Sequence, residues 1–337
     1  MALTGIGENG YLMLQKETTY NTPATDAMEL LPWKEGSVKA TVAQIENNNV
    51  IGCRLKQEPD KGRIAITGEL TFNQHPDILG LLLDLFLGAA TDTGTSTTGY
   101  THTWLAPLSG AKVDRSFTIR QAFGDDLAKQ FSGCRITAIT LASDNEGNQT
   151  ITLTLFGKSY LNDQTRPTTF TCSNKRAYSF GMSKLFIQAE TGSERAVKMN
   201  SYELTIDLGY NTEDYKLGSL EVDDIQFNAI PTVTFGCNID AEDIFLKDAQ
   251  LQTKYKLRLE TNIGTPPIEG VSGVNYSTII ELPRGILSAD TEIPFSVERE
   301  TMDLSFDCAY GGQTTGSGAT KTMFEIRHKD GEASYNS

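Results

Sequence analysis

The stretch that most narrows the fold is "CRITAITLASDNEGNQTITLTLFG", residues 134–157. Apolar and small polar residues alternate on both sides of a polar, glycine-containing centre (Asp144 to Asn148). Successive side chains of an extended chain point to opposite faces, so a period of two gives one buried and one wet face. Two such runs around a turn predict a β-hairpin. "GRIAITGELTF" (62–72) follows the same rule, with Ile64, Ile66, Leu70 and Phe72 alternating with Ala65, Thr67, Glu69 and Thr71. A chain built from such runs is mainly β.

One stretch breaks the pattern. "HPDILGLLLDLFLGAA" (75–90) reads as a helix, with Pro76 suited to its first position and Gly88 to its C-terminal cap. Gly80, Asp84 and Gly88 leave only a narrow small-or-polar stripe, so the helix is apolar nearly all round. It falls short of the roughly 20 residues a membrane helix needs. Such a helix should be covered both by its own sheet and by an adjacent domain or subunit. Ile78, Leu79, Leu82, Leu83, Leu85 and Phe86 are therefore expected at a subunit interface.

Chemistry narrows function by what is missing. The net charge is -14 with a pI near 4.7, a field that repels nucleic-acid phosphates. "MALTGIGENGYLMLQKE" has no basic start, apolar run or cleavage site and does not read as a signal peptide. Five cysteines (Cys53, Cys134, Cys172, Cys237, Cys308) are odd in number and widely spaced, and read as reduced, mostly buried thiols. The three histidines, His75, His102 and His328, show no zinc spacing. No nucleophile elbow or phosphate-binding loop is present, and "GGQTTGSG" (311–318) reads as a flexible turn. The reading is a non-enzyme without metal or cofactor.

Along the chain, residues 1–35 read as irregular and "TDTGTSTTGYTHT" (91–103) as a polar loop, whereas "RSFTIRQAF" (115–123) reads as a strand. "NDQTRPTTFTCSNKR" (162–176) reads as a connector. The second half then repeats the first in order. "MNSYELTIDLGYNTEDYKLGSLEVDD" (199–224) has the shape of the long hairpin at 37–73, and "NAIPTVTFGCNI" (228–239) that of its alternating strand. "DIFLKDAQL" (243–251) stands where "DILGLLLDL" (77–85) stood; "YKLRLET", "STIIELP" and a hairpin at 293–311 complete the series. β-hairpins resemble one another cheaply, so coincidence is the competing reading. The favoured one is a duplication, with domains 1–165 and 166–337.

"GENGYLMLQKETTYNTPA", "LLPW" and "VIGCRLKQEPDKGRIAITGELTFNQHPDILGLLLDLFLGAA" resemble the tail tube (major tail) proteins of long-tailed bacteriophages. The "SFTI" strand and the 134–157 hairpin continue the likeness, which covers the first half well and the second loosely. The resemblance implies tandem β-sandwich or barrel domains, each with a flanking helix and a long hairpin. It implies rings stacked into a virion tube, with tape-measure and terminator proteins as partners and double-stranded DNA passing without specific binding. By position it implies an N-terminal arm over Thr4–Pro23, including Tyr11, Thr19 and Tyr20. The inter-ring hairpin would be the segment around Ile45, Asn47, Asn48, Asn49, Val50 and Ile51. Polar residues such as Thr67, Glu69 and Thr71 are candidates to face an acidic lumen, or else are ordinary outer-surface residues. A duplicated chain would close a trimeric ring of pseudo-sixfold symmetry; a second half serving as decoration would require six chains. A tube protein of a contractile tail or secretion machine, and a β-sandwich adhesin, are the alternatives.

Overall fold

A computed structural model describes residues 10–24, 28–46, 58–107, 112–123, 127–164, 170–172, 175–190, 192–240, 245, 252–269, 271, 273–288, 301–311 and 322–335. The first half contains β1 (Tyr11–Lys16), β2 (Met28–Leu30), β3 (Trp33–Ile45), β4 (Asp60–Asn73) and helix α1 (Pro76–Leu87). After the helix come β5 (Thr91–Thr95), β6 (Gly99–Leu105), β7 (Phe117–Phe123), β8 (Leu127–Ser143), β9 (Thr150–Gly157), β10 (Ser159–Gln164) and β11 (Phe170–Cys172). The second half begins with β12 (Ser183–Ala189), β13 (Arg195–Val197), β14 (Met199–Asp207), β15 (Tyr210–Asn211) and β16 (Gln226–Phe227). It ends with β17 (Thr232–Asp240), β18 (Lys254–Pro267), β19 (Asn275–Leu287), β20 (Thr301–Cys308) and β21 (Glu325–Asp330).

The long strand β8 organises the first half. Its start pairs with β7 and β10, and its end pairs with β9 and β14. The bend falls at Gly133, whose φ of +63° favours glycine and where a Cβ would lie 2.9 Å from Lys158 Cβ. One wing then runs β8–β7–β1–β2 and the other β8–β9–β4–β3, with the apolar faces between them. In the second half β19 pairs with β18, β21 and β20. The wings there run β19–β18–β12–β13 and β19–β20–β17–β14.

The halves interlock instead of meeting at a clean boundary. β14 continues the sheet at the free side of β8, from Tyr202↔Ser143 to Asp207↔Ala138. The β5–β6 hairpin of the first half extends the second half's sheet by pairing with β21, from Leu105↔Glu325 to Tyr100↔Asp330. Residues 91–103, expected as a loop, are therefore largely strand. Their threonines suit an extended chain, and Gly99, His102 and Trp104 turn inward. The partner lies more than 200 residues away, out of reach of any local pattern. Residues 1–35 likewise hold β1 and β2, where an irregular stretch was expected.

The second half's long hairpin also differs from its expected form. β14 pairs with β17, and residues 208–231 cross between them, so 199–224 is not itself a hairpin. Of the expected second helix (243–251), only Phe245 lies within the described residues; it is helical and fully buried. The first strand of the expected 293–311 hairpin lies outside them.

Helix α1 is buried within the single chain. Its C-terminal cap is Gly88, whose N–H donates to Asp84 O, and Trp104 Nε1 donates to Gly88 O at 2.9 Å. A Cβ on Gly80 would fall 2.2 Å from the Tyr335 hydroxyl, so glycine there makes room for the C-terminal segment. Asp84 lies 3.3 Å from Arg115 Nε and 3.7 Å from Lys16 Nζ; burial pushes its pKa up despite these cations. Ile78, Leu79, Leu82, Leu83, Leu85 and Phe86 are each at most 5 % exposed. The helix is covered by β8 and β6 of its own half and by β21 and Tyr335 of the second.

A buried ion cluster closes this joint. His102 places Nδ1 2.8 Å from Asp92 Oδ1 and Nε2 3.0 Å from Asp330 Oδ1. Ionised carboxylates only accept, so both ring nitrogens donate and the imidazole carries charge. Burial alone would lower its pKa, but the bonds to Asp330 and Asp92 outweigh burial and raise it. Asp330 is held well below the usual carboxylate range, against the push of burial, by His102, His328 and Tyr335. A raised folded-state pKa stabilises fully below the unfolded value of about 6.5 and is lost as pH rises through the folded one. The melting temperature should therefore fall as pH climbs above about 6.5, and His102→Gln should flatten that slope. At pH 6 the substitution should cost about 1.5–3 kcal/mol. A variant with the parent's pH slope in thermal melts would refute this assignment.

Candidate functional site

The most extensive functional surface is the outward face of the sheet β3–β4–β9–β8–β14–β17–β20. Its strands alternate strictly: Leu70, Leu153, Leu141, Leu204, Phe235 and Phe306 enter the core, and their neighbours face out. In register, one outward row reads Glu35, Thr71, Thr152, Thr140, Thr205, Thr234 and Asp307. The next reads Ser37, Glu69, Thr154, Ala138, Asp207 and Thr232. Hydroxyls bond along the first row, Thr71 to Thr152 at 2.9 Å and Thr140 to Thr205 at 3.0 Å. The second of these bonds crosses the junction between the halves.

This face is uncharged in the middle and acidic at its margins. Glu35, Glu69, Glu203, Asp207, Asp303 and Asp307 are exposed on it, with Lys34 and Lys39 as exposed cations. Two hollows of about 640 Å³ and about 890 Å³ open on it. One is floored by Thr150, Glu203, Gly236, Asn238 and Asp303, the other by Lys39, Thr67, Glu69, Thr71 and Thr154.

Two edges matter as much as the face. β3 pairs with β4 on one side, and among the described residues no strand lies on the other. Apart from Val38, its residues are half-buried or exposed. β3 and β4 also run together past the end of β9: the β4–β9 ladder stops at Ile66↔Gly157, whereas β3–β4 continues to Ile45↔Asp60.

Thr67, Glu69 and Thr71 all lie on the polar face, brought there by the alternation of β4. Ile45 stands exposed at the end of the β3–β4 ribbon; Asn47, Asn48, Asn49, Val50 and Ile51 lie outside the described residues. Tyr11 starts β1, pairs with Ala122 and is 7 % exposed, in a run buried on both faces of the sheet wing. Tyr20 is also bound to the body, its ring lying 4.9 Å from the Arg135 guanidinium and 5.5 Å from both Lys112 and Lys158. Thr19 is exposed in the same turn. The threonine row went unseen in the sequence reading. Each threonine is visible there as the polar member of an alternating pair, but their alignment depends on registers set by long-range pairing.

The chemistry of the site is that of a surface and not of a reaction centre. Cys134, Cys237 and Cys308 are free and buried, and burial pushes the thiols of Cys237 and Cys308 up to about 12. Among the described residues no group of His, Cys, Asp and Glu is placed to hold a metal ion, and no helix is long and apolar enough to cross a membrane. Residues 7–317 match the family described as phage tail tube protein. The chain belongs to that family. No curated protein matches it. Membership makes this tail tube protein a structural, non-enzymatic part of the virion tail.

Proposed function

We propose that three copies of this tail tube protein close into a ring whose inner wall is this polar face, and that such rings stack into a conduit for DNA. The observation that carries the reading is the β8–β14 junction. Inside one chain, the two halves already join their sheets edge to edge, with a threonine row running across the seam. The free outer edge of β3 stands in the first half where β14 stands in the second, since each pairs with the strand preceding its half's helical segment. A neighbouring copy's second half can cover β3 as the first half covers β14, which removes the exposed edge.

The recurrence of the pairings supports two tandem domains, 1–165 and 166–337, with β5–β6 and β11 exchanged across the boundary. Six tube domains per three chains follow. The alternative, six chains with the second half as an outward decoration, accords poorly with β14, β17 and β20 continuing the same wall. Counting chains per ring by cryo-electron microscopy decides the matter, and six chains would overturn the trimer. A tape-measure protein inside the tube and a terminator protein at its end are the expected partners.

Carboxylates on the polar face would repel phosphate and let DNA slide without binding. Glu69→Lys changes the local charge by two units at each copy while leaving the ladder intact. It should slow DNA ejection several-fold with tubes of normal appearance. Unchanged ejection kinetics would remove Glu69 from the lumen.

A further inference from the structure

Residues 212–225 leave the end of β14 and fold back over the first half as a strap. Ile64 N–H donates to Leu220 O at 2.7 Å, at the point on β4 where β9 has already ended. Tyr215 OH donates to Ile64 O at 3.0 Å, and the Arg63 guanidinium lies 5.4 Å from the Tyr215 ring. Val222 and Ile225, both buried, pack on Phe156 and Ala65. Charges complete the contact: Lys112 pairs with Asp224, Lys158 Nζ donates to Asp223 O at 2.5 Å, and Ser159 Oγ donates to Glu221 Oε2 at 2.8 Å.

The strap thus takes the place beside β4 that β9 vacates. Past Ile66 the β3–β4 ribbon has no other strand next to it among the described residues. An isolated two-stranded ribbon is marginal in water, and its direction depends on what braces its base. The acidic run Glu221 to Asp224 faces the cations gathered around Tyr20 (Lys112, Arg135 and Lys158), which explains why the crossing segment lies down here. In the second half the corresponding segment is the strap itself, so among the described residues no second ribbon projects.

We propose that the strap is a buttress that fixes the direction of the β3–β4 ribbon, so that each chain offers a single ribbon to a second copy in the adjacent ring. The proposal rests on the ring reading above. In a three-chain ring, three ribbons alternate with three straps, and ring-to-ring contact is threefold even though the wall is pseudo-sixfold.

The test uses the full-length chain with Asp224→Lys, which sets two cations against each other, and with Lys112→Asp plus Asp224→Lys, which restores an opposite-charge pair. Amide hydrogen exchange at Ile64 and across 212–225 should rise about tenfold in the single variant and return towards the parent in the double one. Cryo-electron microscopy should show three ribbons per ring in the parent, and ribbons blurred and tubes shortened in Asp224→Lys. Unchanged exchange at Ile64 in the single variant, or a three-chain ring carrying six equivalent ribbons, would overturn the buttress. Six chains per ring, with Ile64 exchange still coupled to Asp224, would overturn the ring reading and leave the buttress standing.

Discussion

Leu82→Asp is expected to leave no folded chain. Leu82 is 0 % exposed in a helix walled in by β6, β8, β21 and the C-terminal segment. Truncating a buried leucine costs about 2–5 kcal/mol through lost transfer energy and an unfilled cavity. A carboxylate in its place adds several kcal/mol of desolvation, because Lys16 and Arg115, the cations nearest this helix, already face Asp84. The sum approaches or exceeds the roughly 5–15 kcal/mol that holds a domain folded. Soluble yield and a cooperative melt measure the outcome, with Leu82→Met as the volume-conserving control, expected to cost less than about 1.5 kcal/mol. A Leu82→Asp chain melting within a few degrees of the parent would refute the burial argument. The same measurement separates a joint inside the chain from a joint between chains. An interface helix would give a soluble monomer that fails to assemble, whereas an internal one gives no monomer.

What the sequence made legible follows its periods. The alternation at 62–72 and 134–157 placed β4, β8 and β9 and set which side of each faces the core, and hence put Thr67, Glu69 and Thr71 on the polar face. The all-round apolar helix pointed to a doubly covered position. What it could not express is which partner covers it, since β6 reaches α1 only by pairing with β21 across more than 200 residues. The place of β1 in the sheet was hidden for the same reason, because a short run such as "YLMLQK" carries no sign of the strand it will meet. The strap was hidden by its polar composition. "TEDYKLGSLEVDD" is what a solvated turn looks like, and its hold on Ile64 depends on a basic patch assembled from residues at 112, 135 and 158. Alternation reports the face of a residue; register and partner are tertiary facts.

The second large effect concerns the free edge of β3. Successive residues of a strand send their N–H groups to opposite sides, so of Lys39 and Ala40 one donates toward β4 and the other toward the open edge. Proline removes the donor and sets φ near -65°, which an edge strand tolerates only where the lost N–H faced solvent. Of the pair Lys39→Pro and Ala40→Pro, one should damage the β3–β4 ladder and lower the melting point markedly. The other should fold close to normally, because among the described residues no strand pairs with that side of β3, where Val38 N–H donates to the Gln121 side chain instead. If the ring closes by covering this edge, the well-folded variant loses tube assembly outright, as each missing donor recurs at every junction of every ring. Size-exclusion chromatography and negative-stain microscopy of the two variants read this directly. A well-folded proline variant that still forms tubes of normal length would mean that β3 is not the closing edge. Failure of both variants to fold would point instead to an edge already committed within the chain. A folded, soluble, non-assembling chain is the outcome that ties the free edge of β3 to the closure of the tube.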